Sequence, residues 1–67
     1  MYTFIMGSRE VLKLLTTAGW VIRHSTGSHH QLTHPSRPGR VTVPHPVKDL
    51  AIGTLKSIEK QSGMKLR

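Results

Sequence analysis

Trp20-Val21-Ile22-Arg23-His24-Ser25-Thr26-Gly27-Ser28-His29-His30-Gln31-Leu32-Thr33-His34 is the stretch whose reading decides the fold. Trp20 to His24 is rich in aromatic and β-branched residues and reads as a strand. Ser25 to Ser28 is a run of small turn-formers. His29 to His34 reads as a second strand, closed by Pro35. So short a connection makes the two strands an antiparallel hairpin.

Downstream, Ser36-Arg37-Pro38-Gly39 reads as another turn, with Pro and Gly in turn-forming places. Arg40 to Val43 is a third strand, ended by Pro44 and Pro46. Upstream, Ser8 is a good N-cap residue, and Glu10 puts a negative charge where the helix dipole favours one. Val11, Leu12, Leu14, Leu15 and Ala18 follow at helical spacing, and Gly19 stops the run. The first helix is therefore expected over Arg9 to Ala18. After a loop through Lys48-Asp49-Leu50, Thr54 offers a second N-cap, Leu55 and Ile58 an apolar stripe, and Gly63 a stop. Met64 and Leu66 can fold back over the core. The order α-β-β-β-α predicts an α+β two-layer sandwich, with both helices on one face of a three-stranded antiparallel sheet and the other face open.

Alternation along a strand then sorts the side chains. Leu32 is the natural core residue of strand two, and His30 and His34 share its face. His29, Gln31 and Thr33 take the other. Val41 and Val43 should point in and Thr42 out. The open face should thus carry His29, Gln31, Thr33 and Thr42. His24 and His34 read as surface residues, His30 as a half-buried one. His45 is held stiffly between Pro44 and Pro46. His29 stands out, because the Gly27-Ser28 turn lets a ligand approach its ring.

The chain has 67 residues, ten Lys or Arg against three acids, and a net charge of +7 before its five histidines are counted. That length is one domain with a small core. Residues 1–7 read as a loose N-terminal extension. The positive field favours a polyanion, most often nucleic acid, or an acidic protein. There is no cysteine, which fits a reducing compartment and removes disulfides and thiolate metal sites from consideration. No apolar run approaches the ~20 residues of a membrane span. His29, His30, His34 and His45 could be read as zinc ligands, but adjacent histidines on a strand point to opposite faces, so no metal or other cofactor is expected.

Gly19-Trp20, the Gly27-Ser28-His29-His30 turn, Val41-Thr42-Val43-Pro44-His45, Lys48-Asp49-Leu50 and Gly53-Thr54-Leu55 with Ile58 resemble, in order and spacing, the HicA-type toxins. The resemblance runs from about Ser8 to Met64. It implies a double-stranded-RNA-binding-domain-like fold, the toxin role in a toxin–antitoxin system, and endoribonuclease action on mRNA in the cytoplasm. It also implies a HicB-type antitoxin as partner, with the free toxin expected as a monomer. The family's catalytic histidine falls on His29 and its turn glycine on Gly27. Some relatives carry a second histidine one residue beyond His45, where this chain has Pro46.

RNA supplies its own nucleophile, the 2′-OH. A histidine suits the proton transfers because its ordinary pKa of ~6.5 lies near working pH. His29 is the expected catalytic residue, with Gly27, Ser28, His30 and His45 as supporting candidates. Arg23, Arg40 and Lys56 are the candidates for holding phosphate. The alternative is a non-catalytic RNA-binding module of the same fold. Against it stands the scarcity of aromatic residues for base stacking, with one Trp, one Tyr and one Phe in the chain.

Overall fold

The computed structural model describes residues 6–66. Its elements are α1 (Ser8–Thr17), β1 (Val21–Thr26), β2 (His29–His34), β3 (Arg37–Pro44) and α2 (Ile52–Ser62). The strands form one antiparallel sheet in the order β1-β2-β3. Leu32 lies opposite Val41, so the apolar residues of the two strands share a face. There Leu32, Val41 and Val43 meet Val11, Leu12 and Leu15 of α1 and Leu55 and Ile58 of α2 in one core. Burying a large apolar side chain contributes roughly 1.5–3 kcal/mol, so these few residues supply most of the stability of so small a body. The expected α-β-β-β-α sandwich with an open sheet face is the observed one.

Several boundaries differ from the sequence reading, each for a physical reason. Ser8 is the first residue of α1 and not its cap; Gly7 takes the cap position, and its N–H donates to Glu10 Oε1 at 2.9 Å. The Ser8 hydroxyl is drawn instead to the backbone of Val47. Trp20 precedes β1 and is buried, serving as core rather than strand. α2 starts at Ile52, two residues before Thr54, with Ala51 as a cap that offers no side-chain acceptor. Packing sets this helix start: Leu50 and Leu55 on either side are both buried. β3 begins at Arg37, so the second turn shrinks to Pro35 and Ser36.

Residues 1–5 of the expected loose extension lie outside the described residues. Its last two are packed. Met6 belongs to the core and its carbonyl accepts from the Leu50 N–H at 2.9 Å. At the other end Leu66 folds back as expected, with its N–H donating to Glu59 Oε2 at 2.8 Å.

Candidate active site

β1 and β2 are joined by two residues only, Gly27 and Ser28, with Thr26 facing His29 as the closing pair. Gly27 has φ +53 and among the described residues no non-glycine residue has positive φ, which is the pattern of a II′ hairpin turn with Gly first. The turn delivers His29 to the first position of β2, exposed to solvent. Opposite it lies Pro44, and the next N–H, that of His45, donates to the Ser28 carbonyl at 2.8 Å. Gly27, Ser28, His29 and His45 therefore share one end of the sheet.

The face opposite the helices continues from His29 through Gln31 and Thr33. Arg40 Nη1 donates to Gln31 Oε1 at 2.9 Å. β1 is bulged: Ile22 pairs with Leu32 but His24 pairs with Gln31, leaving Arg23 unpaired. The bulge brings Arg23 and His24 together beside a cleft that Gln31, Thr33 and Arg40 complete. His24, read from sequence as an ordinary surface residue, thus stands on the face that carries His29. Strict alternation hid this, and nothing local in the sequence marks the bulge. None of the three acids, Glu10, Asp49 and Glu59, lies in a strand. Lys56 is exposed on α2, in the helix layer, and does not line the cleft.

The remaining histidines lie on the helix side. His30 is half-buried, on the face of Leu32, and its ring meets that of His45 edge-on with centroids 4.8 Å apart. His30 Nδ1 is buried and has no hydrogen-bond partner among the described residues. His45 Nδ1 lies 2.7 Å from the hydroxyl of Ser8, a residue only 1% exposed. His34 is structural and not a plain surface residue. Its Nε2–H donates to the Ala18 carbonyl at 3.0 Å and its Nδ1 accepts from the Ser36 N–H at 3.0 Å. Those two bonds fix its tautomer, because a carbonyl only accepts and an amide N–H only donates. Its ring also packs edge-on against Trp20. Among the described residues no three His, Asp or Glu side chains gather as a metal-binding group.

The site therefore has two layers. An exposed imidazole and a basic cleft lie on the open face. A half-buried His30–His45–Ser8 chain backs the same sheet end.

Comparison with known proteins agrees with this architecture. A search of curated proteins finds no match. A solved structure described as the HicA3 and HicB3 toxin–antitoxin complex contains a chain that is 39% identical and superposes with a TM-score of 0.79, covering 92% of this chain and 100% of that one. The family model for the HicA toxin of bacterial toxin–antitoxin systems matches residues 8–64, which take in both helices, the whole sheet and the Gly27-Ser28 turn. The chain belongs to the HicA toxin family.

Proposed function

We propose that this toxin cuts messenger RNA, with His29 as its proton-transfer residue, and that a HicB-like antitoxin silences it. The observation that carries this reading is the placement of His29. It is an exposed imidazole on a tight turn, on a sheet face whose cleft is lined by Arg23, His24, Gln31, Thr33 and Arg40 and by no acid. Trp20 is the only Phe, Tyr or Trp among the described residues and it is buried. No Phe, Tyr or Trp among the described residues is exposed there as a stacking platform, and the abundance of Arg favours a protein that grips phosphate.

The chemistry needs no metal. A base takes the proton of the 2′-OH, and the freed oxygen attacks the adjacent phosphorus. The bond to the 5′-oxygen breaks, and that oxygen leaves with a proton. The products are a 2′,3′-cyclic phosphate and a 5′-hydroxyl. His29 serves one of the two transfers, and acid–base help of this kind is typically worth ~10²–10⁴-fold. Arg23 and Arg40 lie on the same face and supply the positive charge that holds the RNA backbone beside His29. The free toxin acts as a monomer in the cytoplasm, where messenger RNA is met.

The partner follows from charge. A small body of net charge +7 is best covered by an acidic surface, and opposite charge also speeds the encounter. The solved relative is described as a toxin–antitoxin complex, which supports a HicB-like protein in that role.

The deciding experiment is induced expression in a bacterial host, followed by growth and messenger RNA length. Wild type should arrest growth and fragment message, and the His29→Ala variant should do neither at equal soluble level. Normal growth with intact message under soluble wild-type expression would overturn the nuclease reading.

A further inference from the structure

We propose that the bulge-built cleft of Arg23, His24, Gln31, Thr33 and Arg40 is a nucleotide subsite, holding the RNA phosphate next to the one broken at His29. The proposal rests on the RNA-cutting reading above and adds where the neighbouring nucleotide sits and what recognises it.

His29 and Gln31 are two residues apart on β2 and face the same way. At ~3.3 Å per residue that is about 6.6 Å, close to the step between successive phosphates in an extended RNA strand. A backbone laid along β2 with one phosphate at His29 therefore brings the next one over Gln31.

Arginine only donates, so the oxygen of the Gln31 amide must face Arg40, as the 2.9 Å contact shows. This leaves the Gln31 NH₂ group free to donate, and Arg40 keeps its other N–H groups. Arg23 adds a second guanidinium, and Thr33 a hydroxyl. The cleft is thus rich in donors and lined by no acid, which suits phosphate and the carbonyl edge of a base. A cleft evolved for general solubility would mix the signs of its charges.

Regular pairing would turn His24 toward the helices once Ile22 packs opposite Leu32. The extra residue in β1 brings His24 opposite Gln31 instead, beside Arg23. Bulges of this kind re-aim side chains next to working sites. The free β1 edge thereby carries two cationic or donor groups toward the cleft rather than one.

The test uses the full chain with His29→Ala, so that bound RNA stays intact. Binding of a short fluorescent single-stranded RNA is measured by anisotropy over a range of salt. Arg40→Ala should weaken binding severalfold and lower the slope of log K against log salt by about 0.7, the value for one phosphate contact on a single strand. Gln31→Glu keeps the link to Arg40 but replaces the donor with a negative charge, and should weaken binding at least as much. Lys13→Ala, exposed on α1, removes one charge from the helix layer and should leave the slope unchanged. The proposal falls if Arg40→Ala and Lys13→Ala behave alike, or if the His29→Ala protein binds no RNA. It also falls if the cleft variants lose affinity for an acidic antitoxin while keeping that for RNA, which would make the cleft a protein-docking surface. Cleavage assays on the single variants separate the two claims. If His29→Ala stops cleavage while Arg40→Ala cuts with wild-type KM, the subsite fails and the nuclease reading stands.

Discussion

Ser8 Oγ lies 2.7 Å from His45 Nδ1, across 37 positions of sequence, and so joins the start of α1 to the loop that follows β3. The same hydroxyl accepts from the Val47 N–H at 2.8 Å and lies 3.1 Å from the Val47 carbonyl. A hydroxyl has one proton to give and two lone pairs. All three contacts are hydrogen bonds at once when the Ser8 proton goes to the Val47 carbonyl and the His45 ring donates from Nδ1. In neutral His45 that leaves Nε2 as the free lone pair. The loop beside the expected catalytic histidine is thus held by a residue that its own neighbourhood marks only as a helix cap.

Ser8→Ala should therefore do two things. It takes the acceptor away from the part-buried Val47 N–H, a loss of about 1 kcal/mol, which a urea titration will register. It also frees the His45 ring, and ring ¹⁵N shifts should change from an Nδ1–H pattern to a mixture of tautomers. An unchanged midpoint with an unchanged tautomer would show that the hydroxyl holds neither.

His29 and His30 should separate cleanly. His29→Ala, at an exposed position, should change stability by no more than about half a kcal/mol and cut the cleavage rate by ~10²–10⁴. His30→Ala removes a half-buried ring beside His45 and should lower the melting temperature first. Side-by-side melting and rate measurements decide it. A rate lost in His30→Ala at an unchanged melting temperature would move the catalytic assignment to the helix side of the sheet.

Two glycines make a matched pair. Gly19 has φ +100, and a Cβ there would sit 2.8 Å from His34 Nε2. Gly27 has φ +53 and a Cβ there would meet nothing within 4 Å. Gly27→Ala should cost about 1–2 kcal/mol, for the left-handed backbone alone. Gly19→Ala should cost about 1 kcal/mol more, because it also displaces His34 from the Ala18 carbonyl. Equal losses in the two variants would mean that the His34 ring moves aside freely.

Chelation gives a further check on mechanism. Because the reading runs on imidazoles and the RNA 2′-OH, excess chelator should leave both the melting temperature and the cleavage rate unchanged. Activity lost to chelator and restored by zinc would require a metal-assisted route.

Much of this molecule was readable from local pattern. The strand–turn–strand around Gly27-Ser28, the stripe of Val11, Leu12 and Leu15, and the shared inward face of Leu32, Val41 and Val43 follow from period and turn chemistry, which act between near neighbours in sequence. They were enough to predict the α-β-β-β-α order and the opposite directions of His29 and His30. Ordered motifs added the resemblance to a toxin family. Other features depend on partners far away in the chain, and only the tertiary structure decided them. Ser8 left the cap because Val47 and His45 claimed its hydroxyl, and α2 began where Leu50 and Leu55 could both be buried. His34 became a tie between β2 and the end of α1. His24 joined the open face because β1 carries one residue more than β2 opposite it. A bulge is a mismatch between two strands, so neither strand's sequence records it alone.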